Sequence, residues 1–122
     1  MINIKPKIAR ALESNQALVS LLGSKRIYQL VAPNPDEFPR ITFFEMDNVD
    51  DRFADDEAIS SEIRIQIDIW SKKSTPNIAD EVDKTMKSLG FRRTASTDLY
   101  EEDTKVFHKG MRYKTIQMIE EE

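Results

Sequence analysis

The sequence predicts an α+β fold: a mainly antiparallel sheet of about four strands with two helical segments packed on one face. Three observations point there. Apolar residues recur at three- and four-residue spacing over 4–22 and again over 76–89. Between them, Ile63, Ile65, Ile67 and Ile69 alternate with Arg64, Gln66, Asp68 and Trp70, the period of a half-buried strand. The elements run helix, strand, strand, helix, strand, strand, so strands come in hairpin-joined runs.

Ile4 to Leu22 reads as helix in two pieces. Ile8 and Leu12 share one side. Ser14 and Asn15, both good N-caps, interrupt the pattern, and Ala17, Leu18, Leu21 and Leu22 form a second stripe before Gly23, where a left-handed C-cap belongs. Ile27 to Val31 is a short apolar run with the character of an edge strand. Residues 32–39 hold three prolines and cannot sustain a ladder or a helix, so they form a stiff connector pinned by Phe38.

Ile41 to Met46 is a strand with two apolar faces. Ile41 and Phe43 lie on one, Thr42, Phe44 and Met46 on the other, which predicts cover on both sides, partly by a neighbouring chain. Residues 47–62 are acidic, opposed only by Arg52, with no glycine and no clear apolar period. They read as a long, mobile hairpin loop, a length usually reserved for function or disorder. After the isoleucine strand, Pro76 starts a helix behind a Ser or Thr cap. Ile78, Val82, Met86 and Leu89 form its stripe, and Gly90 closes it. Phe91–Tyr100 and Lys105–Ile119 form a hairpin turning at 101–104. Phe107, Met111 and Tyr113 lie on one face of its last strand, and His108, Gly110, Arg112 and Lys114 on the other. The tail Glu120–Glu122 is expected to fray.

A chain of 122 residues is one domain's length, here 1–122, and needs no disulfide or metal staple. The absence of cysteine excludes thiol catalysis, disulfide scaffolds and cysteine zinc sites. The net charge of −4 lacks the basic excess of a DNA-coating module. Met1 to Arg10 carry no long apolar stretch, so neither a signal peptide nor a membrane span is expected.

Reactive chemistry finds little support. The one histidine, His108, has no carboxylate at fixed spacing and reads as a surface or interface residue. Asp68 and Glu62 share a strand face, a faint hint of metal-dependent nuclease chemistry, but no Glu-x-Lys accompanies them. From Asp47, a calcium loop would need ligands and glycine where Val49 and Arg52 stand. Gly23, Gly90 and Gly110 are too scattered to cradle a phosphate. No catalytic, metal or cofactor site is expected. Lys72–Lys73 and Arg92–Arg93 are short basic patches.

Several stretches carry a resemblance. Leu21-Leu22-Gly23 ends the helical region, and Arg26-Ile27-Tyr28-Gln29-Leu30-Val31-Ala32-Pro33 enters the connector. Phe38-Pro39-Arg40-Ile41-Thr42-Phe43-Phe44 and Ile63-Arg64-Ile65-Gln66-Ile67-Asp68-Ile69-Trp70 follow as strands, and Asp98-Leu99-Tyr100-Glu101-Glu102-Asp103-Thr104 through Phe107 and Arg112-Tyr113 make the final hairpin. In this order they resemble the tail-completion, or tail-terminator, proteins of long-tailed phages and prophages. The resemblance implies a non-enzymatic virion subunit, present in the tail or neck and in the host cytoplasm during assembly. It implies a homo-oligomeric ring, usually a hexamer, that caps the tail tube protein and docks it to the head connector protein, with DNA passing through and no membrane involved. The acidic stretch 47–62 departs from the family.

The residues fit a ring subunit independently. Phe44, Met46 and Trp70 offer apolar anchors beyond one core, with Arg92 and Arg93 as a basic rim. Asp50, Asp51, Asp55, Asp56 and Glu57 are expected to face the lumen, where negative charge repels the phosphate backbone. A head–tail connector adaptor, a small nuclease and an unrelated binding adaptor remain alternatives at this point.

Overall fold

The computed structural model describes residues 1–119, so the expected fraying tail at Glu120–Glu122 lies outside the described residues. In chain order the elements are α1 (Lys5–Ser14), α2 (Gln16–Leu22), β1 (Ile27–Gln29), β2 (Arg40–Asp50), β3 (Phe53–Ala54), β4 (Glu57–Ala58), β5 (Ser60–Ser71), α3 (Pro76–Ser88), β6 (Arg92–Glu101) and β7 (Val106–Met118). Asn15 separates the first two helices, as expected from its capping chemistry. Its Oδ1 accepts the Leu18 N–H at 3.0 Å, while its Nδ2 donates to Thr85 Oγ1 at 3.0 Å and ties the cap to α3. Gly23 ends α2 at φ 88°, where a side chain is strained, and returns its N–H to the Val19 carbonyl. Thr75 precedes Pro76 at the start of α3, but its hydroxyl makes no capping bond.

The main sheet has five strands in the order β1-β2-β5-β7-β6. β1 runs parallel to β2 and every other pairing is antiparallel. The expectation of about four antiparallel strands and two helical segments is therefore corrected to a mixed five-stranded sheet with three helices among the described residues. The apolar run after Arg26 does become an edge strand. It is parallel because the proline-stiffened connector carries the chain back far enough to set Ile27 beside Ile41. Arg26 holds that connector by donating to the Phe38 carbonyl at 2.7 Å, and Phe38 lies half-buried with the Arg40 guanidinium 4.6 Å from its ring centre.

All the helices pack on one face. Ile63, Ile65, Ile67 and Ile69 are fully buried there, joined by Ile41 and Phe43 of β2 and by Met111 and Tyr113 of β7. Ile8 and Leu12 of α1, Leu18 and Leu22 of α2, and Ile78, Val82 and Met86 of α3 close over them as one cluster. Burying each such side chain is worth roughly 1.5–3 kcal/mol, so this layer is the main source of stability. No helix covers the opposite face.

The stretch 47–62, expected as a loop, is instead strand over most of its length. β2 and β5 stay paired out to Asp50 and Ser61. Backbone bonds then join Asp51 to Ser60 and Ile59 to Arg52, and β3 pairs with β4. Asp55 and Asp56 close the tip with φ of 52° and 65°. Two consecutive left-handed residues make a hairpin turn that matches strand twist, and aspartate tolerates that region better than most residues. The sequence hides this arm because half of its residues are exposed and only Ser60 and Ser61 are buried, so no buried apolar face imprints a period on it.

Candidate functional site

The bare face of the sheet carries the residues that alternate with the buried isoleucines. Arg64, Gln66, Asp68 and Trp70 of β5 lie beside Thr42 and Phe44 of β2 and beside His108, Gly110, Arg112 and Lys114 of β7. At its centre is a small polar cluster. Trp70 stacks on His108 with ring centres 3.8 Å apart and planes 13° off parallel, and its indole N–H donates to Thr42 Oγ1 at 2.9 Å. His108 Nε2 lies 2.7 Å from Asp68 Oδ1, which also accepts from Gln66 Nε2 at 2.9 Å. The expectation that His108 has no carboxylate partner is therefore corrected. The partner arrives across the strands, because Asp68 pairs in register with Gly110, two residues along β7 from His108. A Cβ at Gly110 would sit 3.3 Å from Asp68 Oδ1, so glycine leaves the carboxylate room.

Among the described residues no three His, Cys, Asp or Glu side chains gather as metal ligands. Asp68 is only 5 % exposed, and removing its imidazole partner leaves a buried carboxylate oxygen with the neutral Gln66 amide alone. His108→Ala is expected to cost about 1–3 kcal/mol and to uncover one face of Trp70. Urea unfolding followed by tryptophan fluorescence measures both the loss and the change in the native emission.

The other expected interface residues separate. Phe44 is half-buried on the bare face, and Met46 is 37 % exposed at a β-bulge between Glu45 and Asp47, a device that re-aims a side chain. Trp70 is half-buried by its own chain, neither sealed under the helices nor fully free. Arg92 is exposed on the bare face, whereas Arg93 points to the helical side and pairs with Asp83 of α3 at 3.1 Å. Asp83 also accepts from Lys87 at 2.7 Å and from the buried Tyr113 hydroxyl at 2.9 Å. Burial opposes ionisation of Asp83, but Lys87, Tyr113 and Arg93 together hold its carboxyl below the usual carboxylate range. Burial first, and then the Asp83 carboxylate, push the Tyr113 phenol far above its ordinary value.

Sequence reasoning missed the openness of β6. All ten of its residues are exposed, on both faces. Tyr100 and Phe107 lie together at the hairpin end with their rings 4.8 Å apart, and Leu99 is exposed on the other face beside His108. Phe107 does share its face with Met111 and Tyr113, yet it is 42 % exposed. Alternation assigns a side chain to a face. It does not say where the covering helix stops. The five carboxylates expected at a lumen, Asp50, Asp51, Asp55, Asp56 and Glu57, all lie on the β2–β5 arm and its tip.

The sheet is therefore covered on one side, with its other face and a whole edge strand open. The family model described as "Tail completion protein gp17" matches residues 6–118. The chain therefore belongs to the tail completion protein gp17 family, structural proteins of the virion tail and not enzymes. No curated protein matches the sequence. Among solved structures, a chain of the "Virion of native gene transfer agent (GTA) particle" is similar in fold, with TM-score 0.67 at 12 % identity over 92 % of each chain. No helix among the described residues is long and apolar enough to cross a membrane.

Proposed function

We propose that the protein caps the finished tail tube and joins it to the head connector as a ring of identical subunits, a hexamer, with DNA passing through the lumen unbound. The observation that carries this reading is β6, a ten-residue edge strand exposed along its whole length. An edge of that length left bare invites pairing with other chains, so it calls for a neighbour. Contacts between different patches on successive copies close into a ring when the rotation permits. The half-buried Phe44 and Trp70, with Met46 at the bulge and Arg92 beside them, give the bare face anchors for such a contact. The acidic arm faces the axis, where carboxylates repel the phosphate backbone and let DNA slide.

The test is the mass of the full chain in solution, alone and with purified tail tubes. A closed ring on tube ends is the expected result. A protein that stays monomeric in both settings, or that binds only the portal-side adaptor, contradicts the reading.

A further inference from the structure

The formal charge of this chain is concentrated in one place. Within residues 50–57, five acids stand against the single Arg52, so the arm tip carries −4, the formal charge of the entire chain. None of those five carboxylates forms an ion pair among the described residues. Around a common axis such tips repel one another and need a positive counterpart.

The bare face supplies one. Arg64, Lys114 and Arg92 lie directly opposite one another on β5, β7 and β6. Like charges in cross-strand register destabilise an isolated sheet. Glu62 relieves part of this, 3.1 Å from both Arg64 and Lys114, and Asp47 lies 3.8 Å from Arg64. Arg92 has no carboxylate partner among the described residues, and Arg112, one row on, bonds only the neutral Gln66 at 3.1 Å. These four cations border one cleft of about 260 Å³, together with the bulged Met46. The arm carries a matching apolar group: Phe53, beside its turn, is 59 % exposed.

We propose that this cleft receives the acidic arm of a second copy of the chain, with Asp50, Glu57 and their neighbours against Arg92 and Arg112 and with Phe53 against Met46. The contact joins two different patches, so it propagates head to tail and closes around an axis. It also reconciles the arm with a lumen. A two-stranded arm has two faces, one held by the next copy and one turned to the axis. The inference rests on the ring reading above and adds to it which surfaces meet.

The experiment is a charge swap in the full chain. Sedimentation is measured alone and with tail tubes, and folding is checked by thermal melting. Arg92→Glu with Arg112→Glu is expected to weaken ring formation about tenfold or more, and Asp50→Lys with Glu57→Lys to do the same. The two pairs combined restore most of the loss, because every copy then carries both reversed surfaces. High salt weakens the wild-type ring in parallel. The arm pair lies on exposed positions far from the core, so it reads the contact even where the face pair lowers the melting temperature. Rings that form normally in both single-pair variants overturn the inference, as does a folded combined variant without rescue. Normal rings that no longer cap tubes, or that alter their hold on duplex DNA, assign the cleft to the tube protein or to DNA and equally overturn it. A wild type that forms no ring in either setting defeats the ring reading itself, a result distinct from all the others.

Discussion

Ile67→Ala is expected to destabilise the chain by about 4 kcal/mol, near the upper end for an isoleucine truncated in a core. Ile67 is fully buried at the middle of the central strand, opposite Phe43 on one side and Met111 on the other, both of them buried. Strands β2 and β7 hold its backbone on both flanks, so the sheet cannot collapse to fill the space left behind. The loss is transfer free energy plus an open cavity. Against a total stability of roughly 5–15 kcal/mol, that is a large share. Urea unfolding should show a lower midpoint with an unchanged slope. A loss under about 1 kcal/mol would mean that the isoleucine face is not the centre of the core. Unfolded subunits cannot be built into a virion tail, so such a variant should fail through depletion with every surface residue intact.

Asp83→Ala comes next, at about 2–3 kcal/mol. This carboxylate joins α3 to the sheet through Lys87, Arg93 and the Tyr113 hydroxyl. Tyr113 is fully buried, so removing its acceptor leaves a phenol O–H with no partner and no water. The same node shapes the pH dependence. The fold holds the Asp83 carboxyl below its ordinary value of 3.8. Its stabilisation is therefore complete above the unfolded value and is lost as pH falls below 3.8 through the folded one. On the alkaline side the sign reverses, because the Tyr113 phenol is held above its ordinary value of 10.0. Its contribution is full below that value and declines as pH rises past it. Asp83→Asn should flatten the acid limb of the stability profile below pH 4 and, by removing the charge that holds the phenol neutral, shift the alkaline limb. An acid limb identical to wild type would show that other carboxylates carry it.

The legibility of the fold divides along a physical line. The isoleucine strand was readable because one face of one segment is buried, and burial of every second residue writes a period of two into the chain itself. The helices were readable for the same reason at the helical period, and Gly23 and Gly90 marked their ends because only a left-handed backbone closes the turn there. The arm at 47–62 is legible as a hairpin connection, but not as paired strand. It buries no apolar face, so hydrogen bonds shape it without leaving a pattern in residue type. The parallel β1 was also hidden, since strand direction depends on where a connector returns. On the bare face, Phe44, Met46, Trp70 and Arg92 are legible as second-face residues because aromatic and charged residues there are visible as such; whether a partner covers them is not written in the chain. His108 is visible without its partner; Arg92 and Arg93, adjacent on a strand, face opposite sides by alternation alone, but that Arg93 meets Asp83 of α3 depends on where the helix packs.

Sequence alone therefore determined the helices, the long strands, the buried face and the accumulation of negative charge between 50 and 57. Each of these follows from residues close together in the chain, sampling one environment. Tertiary structure alone decided that Asp68 meets His108, that Arg64, Lys114 and Arg92 stand in one row, and that the acidic stretch is a projecting arm. Those facts depend on the register between segments tens of residues apart, which is set by the packing of the whole sheet and by no single stretch of it.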